Sequence, residues 1–212
     1  MPSDPCILAF DTSAAHCAAA LMSDGRVLAQ TQEDMAKGQA ERLLPLLEET
    51  LLAGGMGWRD LDALAVGVGP GNFTGIRIGV SAARGLALGL GIPAIGVTLF
   101  EARAEGLPRP LYVLEDARRG EVYVQEFNAG NAEPFLIDRA DLVFDEDAAL
   151  VGSAVLAQDI NLSLLQACYP LAEAIARVAA RKFETLQPRP APLYIRAADA
   201  APGAEKPVTV LP

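Results

Sequence analysis

The chain has 212 residues, 51% of them hydrophobic, so it can bury the core of one large domain or two small ones. Its formal charge is −10, with 17 lysines and arginines against 27 aspartates and glutamates, and it has no basic run. This balance argues against a protein that binds nucleic acid on its own, because such proteins gain much of their affinity from clustered cations.

No apolar run is long enough to span a bilayer, and the first residues lack the basic region of a signal peptide. We therefore expect a cytoplasmic protein without membrane contact. Cys6, Cys17 and Cys168 stand singly in apolar segments, which indicates reduced, buried thiols rather than disulfides or a zinc site. His16 is the only histidine, which excludes paired-histidine metal motifs, and its place after a turn favours a turn or surface residue. We predict no metal site.

The first half of the chain predicts the element order β-β-β-α-β-α-β-α. It opens with an antiparallel meander, because short apolar runs are separated by turns at residues 11–13 and 23–25. A leucine stripe then predicts a helix, in which Pro45 marks a kink or the first turn. The predicted strands are 7–10, 17–22, 26–31, 64–68 and 93–97, and the predicted helices are 39–53, 75–90 and 99–105.

The pattern then restarts. Asp11 lies 14 residues before Gly25, and Asp116 lies 14 residues before Gly130, each aspartate ending a short apolar strand. We interpret this spacing as an internal duplication. The second half predicts strands at 111–114 and 122–127, a strand and turn at 148–154, a helix at 169–185, and a strand or docking segment at 193–196.

Two halves of this kind are typical of the duplicated actin/Hsp70/sugar-kinase-like (ribonuclease H-like) α/β fold with two lobes, the second one reduced. The predicted division is an N-terminal, partner-binding actin-like lobe at 1–105, a smaller C-terminal actin-like lobe at 106–200 and a tail at 201–212.

A glycine loop joins strand 64–68 to the helix that follows it. N–H groups at such a turn suit an anion, and the absence of Gly-Lys-Ser/Thr excludes a Walker A loop. A tight turn that docks the helix is an equally good interpretation of these residues.

In the actin-like arrangement the first aspartate turn faces this loop across a cleft for ATP phosphates and Mg²⁺. The candidate, vestigial phosphate or nucleotide loop comprises Asp11, Thr12, Ser13, Gly69, Gly71, Asn72, Thr74 and Gly75. For Asp11 itself we favour a turn residue that caps a strand end.

Six ordered segments closely resemble the TsaB (YeaZ) family and extend from residue 6 to about 200. The most specific are the glycine loop with Phe73-Thr74-Gly75-Ile76-Arg77 and the string Asp116-Ala117-Arg118-Arg119-Gly120-Glu121-Val122-Tyr123. The other matching segments are 7–13, 60–67, 85–89 and 192–196.

TsaB proteins are bacterial partners in forming threonylcarbamoyladenosine on tRNA beside the anticodon. The resemblance implies a non-catalytic scaffold for TsaD, a larger paralogue that transfers the threonylcarbamoyl group, with the ATPase TsaE acting on the pair. It implies a homodimer when the chain is alone and tRNA contact only through the complex. It also implies no cofactor bound tightly by this chain, with ATP and Mg²⁺ used by the assembled complex, and no catalytic residue.

The sequence departs from the family pattern at two places. TsaD-like transferases hold a metal with paired histidines after the first meander, whereas residues 37–45 contain none, and Gly38-Gln39 stands where many TsaB sequences carry His-Ser. For an adenosine loop in the second half, only residues 151–154 are available. These departures argue against a high-affinity ATP site.

A stripe of small residues on helix 75–90 permits close approach of another helix. We predict that this stripe and the leucines of helix 39–53 form the partner interface, with packing onto the chain's own sheet as the alternative. The predicted interface comprises Leu43, Leu47, Leu51, Gly75, Gly79, Ala83 and Ala87. A second prediction is a polar contact with a partner or with tRNA phosphate at Arg77, Arg118, Arg119 and Glu121; the alternative for the 118–121 turn is a solvated turn with local charge pairing.

Three functions stay open at this point. The first is a binding protein that supports TsaD, and the second is a weak ATPase or small-molecule kinase that uses Asp11 and the 69–75 loop. The third and weakest is a peptidase, because Ser13 or Ser81 with His16 lacks a nucleophile elbow.

Overall fold

The computed structural model describes residues 5–128, 132–144, 148–152, 164–185 and 188–196. The strands are β1 Ile7–Asp11, β2 His16–Ser23, β3 Arg26–Asp34, β4 Ala63–Gly67, β5 Ala94–Val97, β6 Leu111–Asp116, β7 Glu121–Phe127, β8 Phe135–Asp138 and β9 Ala149–Gly152. The helices are α1 Gln39–Ala53, α2 Phe73–Leu90, α3 Leu99–Ala104 and α4 Leu171–Lys182, with short 3-10 turns at Trp58–Asp60 and Arg139–Asp141.

The element order predicted for the first half is confirmed, and α1 continues through Pro45. The sequence missed β8, a short strand at the edge of the second sheet that has no fully buried residue and so lacks the apolar signal of an inner strand. Residues 153–154 of the predicted strand and turn, the turn at Gly130 and the tail at 201–212 lie outside the described residues.

The two sheets repeat one topology. The first has the strand order β3-β2-β1-β4-β5 and the second the order β8-β7-β6-β9. In each, the first strand in the chain pairs antiparallel with the next and parallel with the fourth, so β6 corresponds to β1 and β9 to β4. Asp11 and Asp116 end the corresponding strands β1 and β6. The internal duplication predicted from their spacing is therefore confirmed.

The central strand β1 has side chains buried on both faces of the first sheet. Leu8 and Phe10 belong to the core that contains the inward leucines of α1 and the inward face of α2. Ile7 and Ala9 belong to a second core, which contains Ile175 of α4. A strand buried on both sides in this way reads as a continuous apolar run, as residues 7–10 do.

Helix α4 therefore covers the first sheet, although the predicted division placed its residues in the second lobe. The reason is that this face of the first sheet is apolar and the buried residues of α4 are alanines, Ile175 and Val178. Chain order alone does not show which sheet a helix covers. The domain boundaries themselves stay a prediction.

Residues 188–196 form a segment that we call the strap. The sequence left a strand or a docking segment open at 193–196, and the structure shows the docking segment. Leu193 donates its N–H to the Val68 carbonyl at 2.8 Å. The Leu193 side chain packs against the cores of both sheets, and Ile195 packs against the second one. Arg196 donates to the Ala117 carbonyl at 2.9 Å and pairs with Glu121 at 2.6 Å. The strap thus ties the two sheets together.

Two further sequence predictions concern membranes and cysteines. Within the described part of the chain, none of the helices has the length and apolarity needed to cross a membrane. Cys6 and Cys17 are buried as expected, whereas Cys168 is exposed, so the prediction of a buried thiol was wrong there. Cys168 lies just before α4, where the chain turns at the surface.

The packing of α4 on the first sheet generates a stability prediction. Ile175→Ala removes a fully buried side chain and should lower the free energy of unfolding by about 3 kcal/mol, measured by urea denaturation. The control Leu52→Ala removes a side chain of α1 that is 81% exposed and should cost less than about 0.5 kcal/mol. Equal losses in the two variants would contradict this packing.

Candidate functional site

The turn between β1 and β2 encloses Asp11. The side chain is buried, and its Oδ1 accepts hydrogen bonds from the backbone N–H and the hydroxyl of Ser13, both at 2.9 Å. Nε2 of His16 lies 2.8 Å from the same oxygen. These contacts make Asp11 a turn residue at a strand end, the interpretation that the sequence favoured. His16 is a turn residue beside it.

The same contacts bear on the peptidase hypothesis. A serine nucleophile needs a histidine as its base, and the histidine must lie between the serine and the aspartate. Here Ser13 and His16 both bond to one oxygen of Asp11, so the three side chains do not form that relay. Burial raises the pKa of the nearby Cys17 thiol to about 11, which keeps it protonated at neutral pH and a poor nucleophile.

The start of α2 lies directly on this turn. Thr12 donates its hydroxyl to the Gly75 carbonyl at 2.7 Å, and Asn72 donates its N–H to the Ser13 carbonyl at 2.6 Å. A Cβ atom on Gly75 would lie 2.0 Å from the Thr12 carbonyl oxygen, and one on Gly71 would lie 2.4 Å from that of Ser13. Only glycine fits at these two positions, because the backbones are in contact.

These contacts use groups that a phosphate would need. The Asn72 N–H bonds to Ser13, and the Gly75 N–H bonds at 2.9 Å to the side chain of Asn72, the N-cap of α2. Of the predicted loop residues, the structure brings together those at 11–13, 71, 72 and 75. Gly69 instead accepts a hydrogen bond from Leu99 at 2.8 Å, and Thr74 faces α1.

The donor set for a metal is also sparse. Within the part of the chain that the structure describes, no three histidine, cysteine, aspartate or glutamate residues group as metal ligands. Asp116 is exposed, and its Oδ1 accepts from the Arg118 N–H at 3.0 Å, so it caps its own hairpin.

The predicted partner interface was wrong about which helix face is free. Its residues are buried, and they pack against the first sheet in one core, because small residues let α2 approach the sheet closely. The alternative, packing within the chain, is what the structure shows. The residues concerned are Leu43, Leu47, Leu51, Gly75, Gly79, Ala83 and Ala87.

The free faces of α1 and α2 instead border a groove of about 500 Å³ between the two helices. We call it the α1–α2 groove. Leu44 at its edge is 47% exposed, and Leu88 further along α2 is 83% exposed. The groove is lined by Ala40, Leu43, Leu44, Phe73, Thr74, Arg77, Ile78, Ser81 and Ala82.

The four residues of the predicted polar contact do not form one cluster. Arg77 lies on α2, and its Nε donates to the hydroxyl of Tyr194 at 2.9 Å. Arg118 and Arg119 lie in the β6–β7 hairpin, both exposed and both with left-handed φ angles, of 63° and 55°. Glu121 is engaged by Arg196 of the strap.

Tyr194 and Phe73 are residues that sequence reasoning did not assign to a site. Tyr194 is 49% exposed, and its ring centroid lies 5.5 Å from that of Phe73. For Tyr194, the signal that could have found it is the segment at 193–196, which the sequence marked as a strand or docking segment without naming a target.

Comparison with known proteins gives several matches. The TsaD family model, described as tRNA N6-adenosine threonylcarbamoyltransferase, matches residues 26–155. The tRNA threonylcarbamoyladenosine biosynthesis protein TsaB of Escherichia coli (strain K12) is 42% identical over 126 residues, which are 57% of this chain and 54% of that protein. The uncharacterized protein Rv3421c of Mycobacterium tuberculosis (strain ATCC 25618 / H37Rv) is 32% identical over 200 residues, which are 92% of this chain and 94% of that protein.

A solved structure, YeaZ from Pseudomonas aeruginosa, is similar with a TM-score of 0.73 and 27% identity, covering 90% of this chain and 99% of that one. The alignments span only about half the length of the first curated TsaB relatives, 54% and 52%. The duplicated sheets and this likeness confirm the actin/sugar-kinase-like α/β fold predicted from the sequence.

The contact between α2 and the β1–β2 turn can be tested with two glycines of the same helix. Gly75→Ala should lower the free energy of unfolding by about 2 kcal/mol or more, because the added Cβ would overlap the Thr12 carbonyl. Gly85→Ala has no atom within 4 Å of the added Cβ and should raise stability by about 0.5–1 kcal/mol through helix propensity. Thermal or urea denaturation measures both, and a neutral Gly75→Ala would refute the close approach.

Proposed function

The chain belongs to the TsaB (YeaZ) family, and we propose that it acts in forming threonylcarbamoyladenosine on tRNA as a non-catalytic partner of a TsaD-family transferase. The names of the TsaB relatives support the pathway. The match to the TsaD family model supports a partner of the same fold. Neither match defines the surface through which such a partner would bind.

The observation that carries the proposal is the α1–α2 groove with the exposed leucines around it. Leu44, Leu52 and Leu88 expose large apolar side chains on neighbouring helices. Leu44 lines the groove itself, and exposed apolar side chains on the helices that border a groove are typical of a protein interface. Ser81 and Gly85 are exposed on the same side of α2 and are small, so a helix of the partner can approach there closely.

The close contact of α2 with the β1–β2 turn supports the non-catalytic part of the proposal. The N–H groups of Asn72 and Gly75 are already bonded inside the chain, and Asp11 is held by Ser13 and His16. A phosphate at this turn would have to displace these bonds, each of which costs free energy to break. The candidate loop of the sequence is therefore best regarded as a docking turn.

We also propose the remaining partners that the family resemblance implies. A TsaE-like ATPase acts on the pair, ATP and Mg²⁺ are used by the assembled complex, and tRNA is contacted through the complex. A homodimer through the same groove forms when the transferase is absent, because one apolar surface can serve either partner. The negative charge of the chain agrees with tRNA contact that depends on another subunit.

The proposal is tested by mixing the chain with the TsaD-family protein of its own organism and measuring mass by size-exclusion chromatography with light scattering. We expect a stable complex that Ser81→Arg abolishes, since a long charged side chain would fill the groove. The control Ala140→Arg adds the same charge at an exposed position beside β8 and should leave the complex intact. Arginine at Ala83 or Ala87 is unsuitable, because both residues are buried and the chain would unfold.

Failure of the unmodified chain to bind the TsaD-family protein, with or without ATP and Mg²⁺, would contradict the proposal. Loss of the complex in both arginine variants would contradict the location of the interface.

The enzyme alternative makes its own prediction. If Asp11 and the 69–75 loop formed an ATPase or kinase site, the chain alone would hydrolyse ATP, and Asp11→Asn would stop it. We expect no hydrolysis above the blank by the isolated chain, because the loop amides are bonded internally. Turnover that Asp11→Asn abolishes, in a variant that circular dichroism shows to be folded, would favour the enzyme.

A further inference from the structure

Arg77 is held at the rim of the α1–α2 groove by two aromatic side chains. Its Nε donates to the Tyr194 hydroxyl at 2.9 Å, and its guanidinium carbon lies 3.6 Å from the centroid of the Phe73 ring. The same carbon lies 5.8 Å from the centroid of Tyr194. One face of the guanidinium is therefore covered, and its plane is fixed by a stacking contact and a hydrogen bond.

Tyr194 is itself held in place from both sides. Leu193 is bonded to Val68 and buries its side chain between the cores of the two sheets, and Arg196 is tied to Glu121 and Ala117. The tyrosine ring does not belong to either core, and half of its surface is exposed. Its hydroxyl is thus a fixed acceptor that the strap presents to α2.

The terminal nitrogens of Arg77 are left for another molecule. The described residues offer hydrogen-bond contact only to its Nε, and the side chain is exposed. Among the described residues that line the groove, Arg77 is the charged one, and the others are apolar, small or hydroxylic. The occupant that complements this surface is an apolar helix with a carboxylate at one end, because the guanidinium fork binds a carboxylate through two parallel hydrogen bonds.

We infer that Tyr194 is a positioning residue that holds Arg77 ready for a carboxylate on the partner helix that occupies the α1–α2 groove. This inference rests on the proposed function and names the chemistry that the TsaD-family partner must present. Removing the hydroxyl takes away one of the two contacts that fix the guanidinium and leaves the Phe73 contact, so the partner would have to complete the ordering on binding. Leu193, Ile195 and Arg196 keep the strap seated in that variant, so the fold is not expected to change.

The experiment is a binding titration of the full chain with the TsaD-family protein of its own organism, by calorimetry at several salt concentrations. Arg77→Met should weaken the Kd by about tenfold or more and flatten its salt dependence, because the charge pair is lost. Tyr194→Phe should weaken the Kd by a smaller factor, about threefold to tenfold, and the double variant should bind no worse than Arg77→Met alone. The matched control is Arg26→Met, which removes an exposed charge from the first residue of β3 rather than from α2 and should bind like the unmodified chain.

The melting temperatures of all four variants should stay within about 3 °C of the unmodified chain, since no buried side chain is lost. Unchanged binding and salt dependence in Arg77→Met would overturn the inference while leaving the proposed function intact. Additive losses in the double variant would overturn the positioning role of Tyr194. If the substitutions weaken only the self-association of the chain and not its binding to the TsaD-family protein, the occupant of the groove is a second copy. That result overturns the assignment to the partner. If the unmodified chain does not bind the TsaD-family protein at all, the proposed function fails first.

Discussion

The direct contact between the backbone of α2 and the β1–β2 turn is the constraint on which the rest of the arrangement depends. Gly75 lies against the Thr12 carbonyl, and a side chain there would push the helix away from the sheet. Because the helix can lie flat on this turn, Ile76, Val80 and Ala83 reach the core that α1 also covers. The two helices therefore lie side by side on one face of the first sheet, and the groove between them is a consequence of this close packing.

The same contact decides how the polar groups at this end of the sheet are used. In an actin-like fold the corresponding turn and loop are a natural place for phosphates. Here the Thr12 hydroxyl donates to the Gly75 carbonyl and the Asn72 N–H donates to the Ser13 carbonyl, so both bonds hold the helix on the turn. The β1–β2 turn therefore supports α2, and Leu44, Leu52 and Leu88 stay exposed on the outer faces of α1 and α2. The strap reinforces this support, because Leu193 and Arg196 join it to both sheets.

Much of the fold could be predicted from the sequence, because its elements have clear periodicity. The equal spacing of Asp11 from Gly25 and of Asp116 from Gly130 indicated the duplication, since a turn at the end of the same strand recurs in both halves.

The packing partner of each element was harder to predict. A stripe of small residues such as Gly79 and Ala83 fits equally well against the chain's own sheet or against another chain, and periodicity does not distinguish the two. Periodicity likewise did not show which sheet α4 covers: the helix follows the second sheet in the chain but packs on the first. The pairing of Arg77 with Tyr194 joins residues 117 positions apart, and no local pattern in the sequence indicates such a contact.

We propose that this chain supports transfer of the threonylcarbamoyl group without carrying out the transfer. The most direct test measures threonylcarbamoyladenosine in tRNA, by mass spectrometry of digested nucleosides, after incubation with the TsaD-family protein, the TsaE-like ATPase, ATP and a threonylcarbamoyl donor. We predict that the modified nucleoside forms only when this chain is added, and that this chain forms none when the TsaD-family protein is left out. Equal modification with and without this chain, or modification by this chain alone, would contradict the account.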